Sequence, residues 1–283
     1  MRVSIAMTIL YGLFFLGKGK EAKMDRTKRF RPAPGGCSVG NFRITAGTLG
    51  CLVYKNGQVF ILSNSHVLGG TPVDGAQKGD PILQPGAADG GTAVDELGKL
   101  YKFVPISLTE TSGCPFANVI TSVTNFFARL FGRKTRLKAF IPGEPNLVDC
   151  AIAEPTRQFP YRDEDVLDRI LEDDGSLVAI AGEAEPKIGM KVKKSGRTTG
   201  TTHGEISQVD AAVNVGMGEG RMALFVDQMI VEKPGMSAGG DSGSAVLTEE
   251  GNKIVGLLFA GSENTMVANS WKNVKKELGI ELE

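Results

Sequence analysis

From residue 38 onward, short apolar runs alternate with glycine, asparagine and proline. Runs of that length, bounded by turn residues, predict strands rather than helices. Phe42 to Ala46 and Leu49 to Tyr54 read as strands, Lys55-Asn56-Gly57 as a tight turn, and Gln58 to Ser63 as the returning arm of a hairpin. Three segments break this pattern. Phe116, Val119, Ile120, Val123, Phe127, Leu130 and Phe131 recur at three- and four-residue steps, which predicts an amphipathic helix within an insertion near residues 115–133. Asp163 to Glu172 is a second predicted helix, joining two halves of the chain, and Ser270 to Leu278 a C-terminal one ended by Gly279.

The N-terminal pattern differs from all of these. Arg2 precedes an apolar run from Val3 to Leu16, a length that suits a signal-peptide core and falls short of the roughly 20 residues of a membrane span. Lys18, Lys20, Lys23, Arg26, Lys28, Arg29 and Arg31 follow without a small-x-small cleavage site, and such a basic cluster stays on the cytoplasmic side. The expectation is a cytoplasmic or membrane-associated protein rather than a cleaved, secreted one. A peripheral anchor, a buried N-terminal element and a start codon placed too early all stay open. Two prolines and two glycines between residues 31 and 36 mark a boundary. The expected division is therefore an N-terminal segment and linker over 1–37, a first body over 38–160 and a second over 176–283.

Composition narrows the function classes. Lys plus Arg and Asp plus Glu number 32 each, so no net charge argues for a grip on nucleic acid. Thirty-seven glycines agree with a strand-rich, turn-rich body. The four cysteines, Cys37, Cys51, Cys114 and Cys150, have no Cys-x-x-Cys spacing, and the chain has two histidines, so no metal site is expected. Cys51 and Cys150 lie in apolar strand patterns, where a reduced buried thiol is the commoner state.

Three places carry chemistry. Gly239-Gly240-Asp241-Ser242-Gly243-Ser244-Ala245 sets a serine among glycines, whose bare backbone lets N–H groups be aimed at a ligand. His66 stands just past the strand that ends at Ser63. Asp149 interrupts the apolar run from Leu147 to Ala153, and burying a carboxylate there demands a partner such as a histidine or backbone N–H groups. The chain order His, Asp, Ser is that of the chymotrypsin-like serine triad. His203, in a polar segment with no ligand-spaced acid or cysteine, reads as structural.

Those segments also carry a family resemblance. Ser63-Asn64-Ser65-His66-Val67-Leu68 resembles the histidine motif of the high-temperature-requirement and other bacterial trypsin-like proteases, and Val148-Asp149-Cys150-Ala151-Ile152-Ala153 resembles their aspartate strand. Gly240 to Ala245 is similar to the nucleophile turn of the trypsin clan, and Lys194 to Ile206 to the opening of the second barrel in the streptogrisin and α-lytic proteases. The resemblance implies an all-β fold of two six-stranded antiparallel Greek-key barrels, with the helical insertion and C-terminal helix as additions.

It further implies a serine endopeptidase acting on a protein or peptide, with no cofactor and no nucleic-acid partner. Ser242 would be the nucleophile, His66 the base, Asp149 the group that orients it, and the N–H groups of Gly240 and Ser242 the oxyanion hole. Met236, Ser237, Phe259, Ala260 and Gly261 would wall the substrate pocket, with an apolar preference. Arg197 would pair with Asp241, in place of the chain terminus that cleavage creates in zymogen-type relatives. Two rivals stand beside this reading: a protease-shaped binding module whose site is silent, and a protease restricted to one partner or to itself. The insertion helix admits three uses, namely packing on the first barrel, self-association, or contact with an anionic membrane surface, which residues 3–16 could also make. The oligomeric state is not legible.

Overall fold

The computed structural model describes residues 24–69, 75–111, 114–134, 137, 139–141, 143–156, 166–218 and 221–283. The apolar run over residues 3–16 lies outside them. Residues 24–37, expected as linker, belong to the folded body: Arg26 is buried, and β1 (Ala33–Gly35) is fully enclosed.

The first barrel is built from β2 (Ser38–Asn41), β3 (Gly47–Thr48), β4 (Cys51–Lys55), β5 (Gln58–Ser63), β6 (Pro81–Leu83), β7 (Glu96–Phe103) and β10 (Ala151–Pro155). Their order across the antiparallel sheet is β3-β2-β6-β7-β10-β5-β4. Only Leu49 and Gly50 separate the two edge strands in sequence, so β3 and β4 act as one bent strand that brings the edges together. The expected hairpin is present, with Asn56 and Gly57 both at positive φ in its turn. The expected strand over Phe42 to Ala46 is absent. Asn41 accepts the Arg43 N–H on its side-chain oxygen at 3.0 Å and the Ile44 N–H on its carbonyl at 3.0 Å, which closes a turn there instead.

Between β7 and β10 the chain leaves the barrel through β8 (Glu110–Thr111), runs along α2 (Pro115–Leu130) and returns through β9 (Phe140–Ile141), which pairs with β8. No residue of α2 is buried. The helix is where the apolar period predicts it, but it does not pack on the first barrel.

The linker between the barrels corrects a second expectation. In place of a helix over 163–172, residues 166–171 form β11 (Val166–Leu171), which pairs in parallel with β1 and antiparallel with β12 (Leu177–Val178). The N-terminal segment supplies β11 with a long-range partner, and that pairing outweighs local propensity. Residues 163–165 lie outside the described chain.

The second barrel closes fully in the order β13-β14-β15-β18-β17-β16. Its strands are β13 (Lys191–Gly196), β14 (Gly200–Gly216), β15 (Met222–Glu232), β16 (Ala245–Thr248), β17 (Ile254–Gly261) and β18 (Thr265–Ser270). Val192, Ile206, Met229, Val231, Val246, Val255, Leu258 and Met266 fill it. A separate apolar cluster joins the barrels, bringing Cys51, Phe60, Leu62 and Cys150 of the first against Ala245, Leu247 and Leu257 of the second. The C-terminal helix α3 (Trp271–Leu278) seals that cluster with Trp271, Val274 and Leu278, and Gly279 ends it in the left-handed conformation at φ 66°. Beyond it, Tyr54 and Glu281 exchange two backbone hydrogen bonds of 2.8 Å, tying the C-terminus to the first barrel.

Candidate active site

The candidate site forms where the two barrels meet. His66 lies in α1 (Ser65–Leu68), a single turn that starts as soon as β5 ends. Asp149 precedes β10 by two residues rather than lying within a strand. The structure brings the two together: His66 Nδ1 is 2.5 Å from Asp149 Oδ2, and the backbone N–H of His66 donates to Asp149 Oδ1 at 3.1 Å. Asp149 is 1% exposed and the His66 side chain 26%, so the acid is buried and the ring reaches solvent. With the Nδ1 hydrogen directed at Asp149, Nε2 is left as the basic nitrogen. Desolvation works to lower the His66 pKa, but the charge and hydrogen bond of Asp149 override it, and the net shift is upward.

A buried amide network holds Asp149. Asn64 Nδ2 donates to its carbonyl at 2.7 Å, and its own N–H donates to Asn269 Oδ1 at 3.0 Å. Asn269 in turn donates to Gln228 Oε1 at 2.7 Å, and Gln228 to the Leu147 carbonyl at 2.9 Å. All three amides are almost fully enclosed. Sequence reasoning gave them no role; Gln228 and Asn269 are polar side chains inside otherwise apolar strands, which is the available signal, whereas Asn64 stands between β5 and α1.

Ser242 approaches from the second barrel. Its carbonyl accepts the Thr48 N–H at 2.8 Å, and a Cβ at Gly47 would meet both Val67 at 2.5 Å and that carbonyl at 3.0 Å. The turn bearing His66 and the loop bearing Ser242 thus meet across a glycine that leaves no room for a side chain. Ser242 Oγ donates to the Phe259 carbonyl at 3.3 Å and makes no hydrogen bond to His66 in this structure. Gly240 has φ 95°, and a Cβ there would meet Thr198 Oγ1 at 2.5 Å and Arg197 Nη1 at 2.7 Å. Thr198 Oγ1 donates to the Gly239 carbonyl at 2.7 Å and so fixes the peptide that carries the Gly240 N–H. Among the described residues neither the Gly240 nor the Ser242 N–H has a protein acceptor.

Asp241 is fully buried, and its partner is not Arg197. Lys194 Nζ lies 3.3 Å from Asp241 Oδ2, with both side chains 0% exposed. The same carboxylate accepts N–H groups from Thr198, Thr199 and Ala238 and the Thr199 hydroxyl, at 2.6 to 3.1 Å. Arg197 turns its planar fork to Asp89 of the first barrel, with Nε to Oδ2 at 2.6 Å and Nη2 to Oδ1. The reason is register. Lys194 shares its inward face of β13 with Val192, whereas Arg197 lies past the strand end and points across the cleft. That alternation was readable in the sequence.

Beside Ser242 opens a cavity of about 810 Å³. Ser237, Phe259, Ala260 and Gly261 line it as expected, together with Val213 and Val215 from the long β14–β15 hairpin. Met236 does not: it is 1% exposed and belongs to the second barrel's core. Phe259 is buried against Phe225 with ring centroids 4.6 Å apart, so its backbone rather than its ring faces Ser242. Glu263, exposed, is the one charged residue among those lining the cavity, and the sequence reading did not include it. His203 lies away from the cleft, its Nδ1 2.8 Å from Glu249 on the surface.

No protein-family model matches the chain, and no curated protein sequence matches it. Solved structures do. Protease A of Thermobifida fusca has 16% identity and a TM-score of 0.54, over 88% of this chain and 98% of that one. A chymotrypsin of Cellulomonas bogoriensis has 16% identity and a TM-score of 0.53, over 89% and 98%. Nocardiopsis protease has 15% identity and a TM-score of 0.54, over 89% and 100%. The chain therefore has the chymotrypsin-like double-barrel fold of bacterial serine proteases.

Proposed function

We propose that the protein is a serine endopeptidase, with Ser242 as nucleophile, His66 as general base and Asp149 as the group that orients the ring. The observation that carries this reading is the His66–Asp149 pair, 2.5 Å apart, with the acid buried and the ring open to solvent. A buried carboxylate whose two oxygens are both committed to a histidine, on a backbone pinned by Asn64 and Asn269, serves no packing need, and replacing the pair by apolar groups would be easier for the fold.

In this mechanism Ser242 Oγ rotates from the Phe259 carbonyl towards His66 Nε2 and attacks the scissile carbonyl carbon as the proton passes to His66. The oxyanion is met by the Gly240 and Ser242 N–H groups, each contributing about 2.7 to 4 kcal/mol to the transition state. Collapse expels the amine, which takes the proton from His66, and water then cleaves the acyl-enzyme by the same steps in reverse. The adjacent cavity, lined mainly by apolar and small residues, receives an apolar side chain of the substrate. Lys194 supplies the cation that Asp241 needs from within the chain, so no cleavage is required to build the site.

One observation favours the rival reading of a silent binding module: Ser242 Oγ bonds to Phe259 rather than to His66. Labelling with a fluorophosphonate, read by peptide mass spectrometry, separates the two. Modification of Ser242 that disappears in His66→Ala is expected; an unlabelled, folded wild-type protein would leave the binding module as the better reading.

A further inference from the structure

The helix α2 stands clear of both barrels and turns an apolar face outward. Phe116, Val119, Ile120, Val123, Phe126, Phe127, Leu130 and Phe131 are each between 49% and 74% exposed. At 100° per residue they fall within one arc of roughly 140°, while Asn118, Thr121, Ser122, Asn125 and Arg129 fall on the other side. Asn125 clasps the returning chain, its Nδ2 donating to the Leu137 carbonyl at 2.8 Å and its Oδ1 accepting the Leu137 N–H at 2.7 Å. Nothing covers the apolar arc among the described residues.

Charge identifies the occupant. Between residues 111 and 143 the sequence carries five basic side chains, at 129, 133, 134, 136 and 138, and no acidic one. A second copy of the chain would set two such segments side by side, whereas an anionic bilayer complements both the charge and the apolar arc. At about 1.5 Å per residue, the 16 residues of α2 are shorter than a hydrocarbon core of about 30 Å. Among the described residues no helix is long and apolar enough to cross a membrane. A helix of this length suits the interface plane rather than a span.

We infer that α2 docks the protein on an anionic lipid surface, apolar arc inward and basic residues at the headgroups. The root of the insertion sets what the docking achieves. Thr109 donates both its N–H and its hydroxyl to the Met222 carbonyl, at 2.7 and 2.8 Å, and Ile106 and Leu108 pack with Phe225 and Phe259. Phe259 lines the cavity beside Ser242, so a docked helix holds that cavity close to the bilayer. The inference does not depend on catalysis.

The test uses the full chain with vesicles of phosphatidylcholine, with and without about one third phosphatidylglycerol. Co-sedimentation with the anionic vesicles and not the neutral ones is expected, weakening as salt is raised. The double variant Ile120→Glu/Phe127→Glu should lower the partition coefficient at least about tenfold and leave the thermal midpoint nearly unchanged, because both side chains are half exposed on a helix with no buried residue. In a separate Phe126→Trp protein, tryptophan emission should shift to the blue on adding anionic vesicles. Equal binding by the double variant and wild type, as residues 3–16 alone would produce, overturns the inference. So does an unshifted Phe126→Trp spectrum, or a lipid-free dimer that the double variant abolishes.

Discussion

Two buried aspartates, one from each barrel, show how the same side chain is put to opposite uses. Asp149 and Asp241 are 1% and 0% exposed, and each has a cation-forming partner. The partner of Asp149 is a histidine that reaches solvent, whereas the partner of Asp241 is a lysine sealed from it. An imidazole gains and loses its proton near neutral pH, so the first pair can move charge. Lys194 is pulled down by desolvation, an effect opposed by Asp241, and it is held by Thr199 and the Gly200 carbonyl as well. That second pair is a fixture that shapes the Ser242 loop. Both carboxylates are buried; what separates them is the access of the partner to solvent.

The largest test of this contrast is Asp149→Asn, which leaves the shape and reverses the hydrogen-bond sense at His66 Nδ1. A loss of about 10⁴-fold in kcat on a peptide substrate is expected, from the wrong tautomer, with the protein still folded. Retention of most activity would break the assignment of Asp149 to chemistry.

Lys194→Met should act on the fold instead. It leaves Asp241 buried without its cation, at a cost of about 3–5 kcal/mol in a urea unfolding titration. Adding Asp241→Asn should restore a large part of that loss, since no buried charge is then left over. A single variant as stable as the wild type would mean that the backbone N–H groups suffice.

A third test follows from the raised pKa of His66. The base must be neutral, so kcat/KM should fall about tenfold per pH unit below a midpoint that lies above 6.5. In Asp149→Asn the raising influence is gone and burial remains, so the midpoint of the residual activity should drop below 6.5. Stability runs the other way. A histidine whose pKa is higher in the folded state adds stability that is fully present below about 6.5 and is lost as pH climbs through the raised value. The pair should therefore weaken slightly over the range in which activity appears.

The smallest effect belongs to the other histidine. His203 pairs with Glu249 on the surface, and His203→Gln should change stability by less than about 1 kcal/mol and leave kcat/KM unchanged. A large loss of activity would give His203 a role that its position does not suggest.

Much of the architecture was legible. The hairpin around Asn56-Gly57, the insertion helix and the C-terminal helix follow from period and turn chemistry, which act over a few residues. The errors occur where distant chain decided. Residues 166–171 carry a helix-compatible mixture of apolar and charged side chains, but β1 offers them a strand to pair with. Phe42 to Ala46 lost its strand to one asparagine that caps a turn.

The sequence by itself determined which groups are available: a serine among glycines, a histidine after a strand, an acid in an apolar run, and an amphipathic helix with a basic end. These are properties of neighbouring residues, so period, composition and spacing express them directly. Only the tertiary structure decided which groups meet. Asp241 took Lys194 and left Arg197 to Asp89, Met236 went to the core, and among the described residues the apolar arc of α2 stayed uncovered. Such pairings depend on which face of a strand points inward and on contacts between residues far apart in the chain, and closure of the barrels sets both.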